Sequence, residues 1–305
     1  MRNVLIGSVN SSRIVLEELI TCGCAPELVF SLDEGYAQNV SGYYPLHKMA
    51  IEHYISYEIF NKISDPCHLE KIKAVQPDYI FVVGLSQLIG TSILEVAKKG
   101  VIGLHPAPLP KFRGRAALVW QMLLGVRQSA VSLFFIDANM DSGPVLGQEP
   151  FFIGENDYAS DVETNCLLAL RTVCHRVITQ MKEDRLVPVP QNDADATYLM
   201  KRIPEDGLID WNQSIYQIQL LIRAVSHPYP GAFSHYDGIH PVSFWQADIL
   251  ENIQYYGIPG QIVHVTDTYF DVFCIDGLLH VTEYSALRDG RFIVGHKFRN
   301  KGEII

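Results

Sequence analysis

The sequence lacks the usual signatures of metal, nucleotide and membrane proteins. Its six cysteines (Cys22, Cys24, Cys67, Cys166, Cys174, Cys274) form no C-x-x-C, and its eleven histidines form no H-E-x-x-H. No metal site and no disulfide framework are therefore expected. Gly7-Ser8-Val9-Asn10 stands after the first strand where a P-loop or G-x-G-x-x-G would be needed, which excludes nucleoside triphosphate or NAD binding in those modes. Ser86, in Gly84-Leu85-Ser86, lacks the second glycine of a nucleophile elbow. No apolar run approaches the roughly 20 residues of a membrane helix, and the amino-terminal run breaks at Gly7, too soon for a signal peptide core. A reducing cytoplasm with no membrane partner is the expectation. Positive charge is scarce as well: 24 Lys and Arg against 34 Asp and Glu leave a net charge of -10. No global field is available to hold phosphate backbones, so no nucleic-acid partner is expected. Arg113, Arg115, Arg202 and Arg223 are scattered, as suited to surface ion pairs as to anion binding.

What the chain does have is enough apolar residue, 48% over 305 positions, to bury the cores of two domains. Val4-Leu5-Ile6, Leu28–Leu32, Tyr79–Val83, Val101–Leu104 and Val131–Ile136 read as buried strands. Helices are expected after Ser11-Ser12, over Thr91–Lys99, over Leu118–Leu124, and from a cap at Asp157 to about Lys182. Residues 33–68 are polar and weakly periodic around a third short strand. This alternation predicts a doubly wound, Rossmann-like α/β domain over residues 1–187, with ligands at the carboxyl ends of the strands. A polar linker, 188–204, follows. From 205 to 305 one helix, about Ser214–Val225, precedes short strands at Gly231–Tyr236, Pro241–Trp245, Gly260–Val265, Tyr269–Cys274 and Leu278–Tyr284. They predict a small antiparallel, barrel-like (OB-type) domain.

Two of the rim segments carry chemistry. His105 lies in Gly103-Leu104-His105-Pro106-Ala107-Pro108-Leu109-Pro110, where three prolines stiffen a segment outside helix or sheet. An imidazole with an ordinary pKa near 6.5 can take a proton at neutral pH. Asp141, in Asp137-Ala138-Asn139-Met140-Asp141-Ser142-Gly143, would be a turn former in isolation. Across the rim from a histidine, its carboxylate would orient the ring and stabilise its protonated form.

At these residues the chain resembles the folate-dependent formyltransferases, whose members move a formyl group from 10-formyltetrahydrofolate to an amine. The family pattern runs roughly Asn-x-His-x-Ser-x-Leu-Pro-x-x-x-Gly with a later Asp-x-Gly, matched here by Gly103–Gly114 and Asp141-Ser142-Gly143. Arg202–Trp211 and Arg223–Phe233 look like the opening of the family's carboxyl-terminal domain, so the likeness covers nearly the whole chain. Lys111–Ala116 and Arg202–Trp211 look most like the branch acting on nucleotide-linked amino sugars. The acidic chain argues against the methionyl-tRNA branch.

By that resemblance His105 would be the general base and Asp141 its partner. Gln87, Leu88 and Ile89, with Asp137, Ala138, Asn139 and Met140, would line the pterin slot. Arg115 would lie near the formyl donor and acceptor, and Arg202 near the sugar-nucleotide phosphates. The acceptor would be a UDP- or dTDP-linked amino-dideoxy sugar, its 4-amine formylated for bacterial surface glycans. Hydrolysis of 10-formyltetrahydrofolate, methionyl-tRNA formylation, and binding of folate or nucleotide-sugar without turnover are the alternatives. The carboxyl-terminal domain would flank the sugar-nucleotide site, with an exposed face equally suited to homodimer formation. One departure stands out: Gly103 occupies the place of the family's asparagine, the expected oxyanion donor. Loss of such a donor ordinarily costs on the order of 10²–10³ in rate. Protonated His105 or a backbone N-H would replace it, glycine letting backbone approach the substrate closely. Asn139 or Ser86 reaching in, or a slow or inactive enzyme, are the other expectations.

Overall fold

A computed structural model describes residues 1–299 apart from Ser86, Leu88, residues 251–253, Ala286, Arg288 and Asp289. It divides into two units: Met1–Ala117, Gln128–Ile153 and Glu163–Met200 form the first, and Leu118–Arg127, Gly154–Val162 and Lys201 onward the second.

The elements over residues 1–200 are β1 (Asn3–Gly7), α1 (Asn10–Thr21), β2 (Leu28–Leu32), α2 (Leu46–Glu52), β3 (Ser56–Phe60), α3 (Pro66–Val75), β4 (Tyr79–Val83), α4 (Thr91–Leu94), β5 (Gly100–His105), β6 (Arg113–Gly114), α5 (Ala117–Leu123), β7 (Gln128–Phe135), β8 (Val145–Phe152), α6 (Ala159–Lys182) and β9 (Tyr198–Leu199). The main sheet of the first unit has the order β3-β2-β1-β4-β5-β7-β8. Its first five strands run parallel, while β7 is antiparallel to β5 and β8 to β7. The continuous apolar runs of β1, β2 and β4 are buried at every position, because both sheet faces are covered. Ser12, in the first turn of α1, donates its hydroxyl to Val83 O at 2.6 Å and accepts from the Ser8 and Val9 N-H groups. It thereby ties the β1–α1 turn to the end of β4, at the rim where ligands gather.

The structure adds detail to the expected outline. The sheet is mixed, since β7 and β8 form an antiparallel hairpin whose direction the sequence left open. β8 is unmarked in the sequence because Gly147, Gln148, Glu149 and Pro150 interrupt its apolar residues; it lies at the sheet edge. Helix α4 stops at Leu94 instead of Lys99, α2 lies within the weakly periodic segment 33–68, and α3 begins at its end. Of the segment 188–204, residues through Met200 group with the first unit. There Val189 bridges Val145 and β9 pairs with β6.

The second unit holds α7 (Ile215–Val225) and strands β10 (Ala232–Tyr236), β11 (His240–Leu250), β12 (Ile262–Val265), β13 (Phe270–Cys274), β14 (Gly277–Tyr284) and β15 (Phe298–Arg299). Ser214 caps α7: its hydroxyl accepts from the Gln217 N-H, and its own N-H donates to Gln217 Oε1. The antiparallel order is β12-β13-β14-β11-β10-β15, and the two ends of that order meet through a Gln261–Lys297 bridge and the Phe298 N-H donated to Gly260 O. The sheet therefore curls closed around Trp211, Phe244, Phe270 and Phe298, all buried. The buried Trp211 indole donates to Ser234 Oγ at 3.0 Å, which satisfies its single polar atom.

Candidate functional site

A cavity of about 800 Å³ opens in the first unit. Its wall is built from the turns after β1, β4 and β5 and from the loop after β7, including Gln87, Ile89, Gly103, Asp137, Ala138, Asn139, Met140 and Asp141. Leu88 lies outside the described residues. The turns after β1, β4 and β5 arrive there because parallel strands end at one rim. The loop after β7 arrives differently, since β7 runs the opposite way. It turns back after the Ile136 N-H donates to Val101 O, and returns until the Phe135 N-H meets Pro144 O. Gly143 permits this tight return, for a Cβ there would stand 1.8 Å from Phe135 O.

Within the loop Asp137 is a staple. Its carboxylate accepts from the Asn139 N-H at 3.0 Å and from the Ser142 hydroxyl at 2.8 and 2.9 Å. Asp141 follows with φ 52, a left-handed conformation that aspartate tolerates better than most residues. Its Oδ2 accepts from the Gly114 N-H at 2.8 Å and stands 3.6 Å from His105 Nδ1. His105 is only 5% exposed and lies between the lining residues Leu104 and Pro106. Its Nε2 is 2.6 Å from Phe112 O. A carbonyl only accepts, so this assigns the proton of the neutral ring to Nε2 and leaves Nδ1 as the basic nitrogen, facing Asp141. Phe112 thus orients the ring. At 3.6 Å, Asp141 acts on it through charge.

The structure adds residues that the sequence did not single out as a group. Gln191 Nε2 donates to Asp141 O at 2.8 Å and Gly143 O at 2.7 Å, while its Oε1 accepts from Arg113 Nε and Nη2. Arg113, 2% exposed, also meets Asp193 at 2.8 Å. This chain of bonds joins the His105 segment to the Asp141 loop through residues 78 to 80 positions away from Arg113. No local motif announces it.

Other expected residues are placed less directly. Gln87 lines the cavity, yet its side chain spans Ile63 N and Asn61 O, so it holds the neighbouring turn. Arg115 is exposed and does not line the cavity, although adjacent Ala116 does. Arg202 belongs to the second unit, where its guanidinium stacks 5.0 Å over Trp120 and donates to Asp206 O at 2.7 Å. Burial holds its pKa below the ordinary guanidinium range. At Gly103 a Cβ would lie 2.9 Å from Ile136 Cγ1 and 3.1 Å from Phe134 Cε1, so apolar side chains fill the room where a side-chain oxyanion donor would start.

Comparison with known proteins places this architecture. Residues 47–178 match the formyl transferase family model, and residues 201–293 match that family's C-terminal domain. Among solved structures, HypX from Aquifex aeolicus in complex with tetrahydrofolic acid aligns with a TM-score of 0.67 at 18% identity over 93% of this chain. This chain spans 44% of that longer protein. The N-formyltransferase from Helicobacter canadensis, in complex with folinic acid and dTDP-3-aminofucose, aligns with a TM-score of 0.62 at 18% identity, covering 93% of this chain and all of that one. Methionyl-tRNA formyltransferase from Clostridium thermocellum aligns with a TM-score of 0.57 at 20% identity, over 91% and 100% of the respective chains. With both domain models matched in order across well over half of its length, the chain belongs to the formyltransferase family of enzymes.

Proposed function

We propose that this protein transfers the formyl group of 10-formyltetrahydrofolate to the amine, the 4-amine by our reading, of a UDP- or dTDP-linked amino-dideoxy sugar destined for a bacterial surface glycan. The observation that carries the reading is the basic Nδ1 of His105 set 3.6 Å from the Asp141 carboxylate beside a cavity of about 800 Å³. The cavity wall includes Asp137, Asp141, Asn139 and Gln87 and, among the described residues, neither Lys nor Arg. Such a wall is rich in acceptors and suits an amino-bearing heterocycle such as a pterin. Arg115 and Arg202 remain the proposed partners of the anionic groups of donor and acceptor.

In the reaction the amine nitrogen attacks the formyl carbon. His105 Nδ1 takes the amine proton while Nε2-H stays bonded to Phe112 O, and Asp141 stabilises the imidazolium. The imidazolium then returns the proton to the departing N10. Nucleotide-sugar recognition is supported by the acidic chain, which disfavours tRNA, and by the likeness to the Helicobacter canadensis enzyme.

Replacing His105 by Asn tests the assignment. Formylated product, weighed by mass spectrometry over a panel of UDP- and dTDP-amino sugars, should fall by about 10²–10⁴ with folate affinity within a few fold. Retained turnover refutes the role given to His105. A second reading, binding without turnover, is favoured by Ile136 and Phe134 crowding Gly103; it predicts folate binding but no added formyl mass with any amine. Formate released without an amine would instead point to a hydrolase.

A further inference from the structure

We infer that Glu18, Cys22 and His175 form a binding site for a divalent cation of the zinc class, separate from the His105 cavity. Among the described residues these are the three side chains grouped closely enough to share one ion, with their ligand atoms all within 4.8 Å of one another. Glu18 and Cys22 sit four positions apart at the end of α1, so both side chains fall on one face. His175 comes from α6. Its Nδ1 lies 3.2 Å from Glu18 Oε2 and 3.6 Å from Cys22 Sγ.

The 3.2 and 3.6 Å separations about His175 suit a tetrahedral ion. Zinc bonds of about 2.0–2.2 Å to nitrogen or oxygen and about 2.3 Å to sulfur give ligand-to-ligand edges of roughly 3.3–3.6 Å. The chemistry also fits, because carboxylate, imidazole and thiolate are all zinc ligands and Cys22 is a free thiol. The supporting bonds are in place. Arg171 Nη1 holds Glu18 Oε1 at 2.8 Å, leaving Oε2 turned toward the histidine. Lys182 Nζ donates to Cys22 O at 2.9 Å. Outer contacts of this kind fix the orientation of ligands. Glu17, which also pairs with Arg171, offsets the nearby positive charge. His175 is exposed, so the fourth position is open to water. Binding would displace the thiol proton of Cys22 to solvent and join the end of α1 to α6.

Motif spacing hides such a site, since 153 residues separate Cys22 from His175.

The test uses the full chain stripped of metal by chelation. Zn²⁺ added in competition with a chromophoric chelator should bind once per chain, and Co²⁺ should show a thiolate charge-transfer absorption. His175→Ala should weaken Zn²⁺ binding by at least about tenfold, and Cys22→Ser should abolish the Co²⁺-thiolate band. Zn²⁺ should raise the Tm of the unaltered chain and leave the Cys22→Ser, His175→Ala double variant unmoved. Absence of stoichiometric binding, or equal binding by the double variant, overturns the site. Neither position belongs to the His105 cavity, so this result is independent of any measurement of formyl transfer.

Discussion

His105 has one nitrogen committed and one in reserve. Phe112 O occupies Nε2, and the reserved Nδ1 faces Asp141; in the proposed reaction, proton transfer would fall to Nδ1. The other decisive residue is Gly103. Asparagine placed there alone would press on Ile136 and Phe134, so Gly103→Asn should destabilise the fold by about 1–3 kcal/mol through overpacking and gain no activity. Combined with Ile136→Ala, which returns the room, the same change should raise kcat by up to about 10² as an amide becomes available to the oxyanion. Thermal melts and initial rates of the two variants check this, and a double variant no faster than the original chain would show that some other donor already serves. His105, Asp141 and the departure at Gly103 were legible in the sequence because reactive residues sit in short motifs. The tautomer was not, because it depends on a carbonyl seven residues away that only the folded loop brings near.

The elements of the site are three turns and one loop, and they differ in how readable they are. Strands β1, β2, β4 and β5 matched their expected places because burial on both faces demands continuous apolar runs. β8, at the edge and broken by polar residues, carried no such pattern. The loop after β7 depends on Gln191, whose amide holds Asp141 O and Gly143 O while accepting from Arg113. Gln191→Leu leaves these groups short of partners and should cost about 1–3 kcal/mol. Because the loop carries Asp141, we also expect kcat to fall roughly tenfold or more through misplacement. The urea midpoint and kcat/KM of the variant, measured together, test the prediction; lost stability with unchanged kcat would confine Gln191 to a structural role.

At the scale of the molecule, two units with separate cores carry the chain, and no described helix is long and apolar enough to cross a membrane. Burial pushes the Cys166 and Cys274 thiols up to about 12 and raises Cys174 further, from an ordinary 9.0. A folded-state pKa above the unfolded one means that the unfolded chain loses its proton first. Stability from these thiols is therefore complete below about pH 9 and falls as pH rises toward 12, by up to about 1.4 kcal/mol per pH unit for each thiol. Denaturant midpoints at pH 8 and pH 10.5 should show the loss, and Cys166→Ala should flatten the slope; an unchanged slope would mean that another group sets it. What the sequence by itself determined is the kind of protein: an α/β sheet followed by a curled β domain, with His105 and Asp141 as the candidate proton-transfer pair. Periodicity and short motifs carry that information because burial and local chemistry act over a few residues. Only the tertiary structure decided the antiparallel return of β7, the Arg113–Gln191 brace, the filling of the space beside Gly103, and the meeting of Glu18 and Cys22 with His175. Each joins residues distant along the chain, and the energy that brings them together comes from packing the whole sheet and its helices.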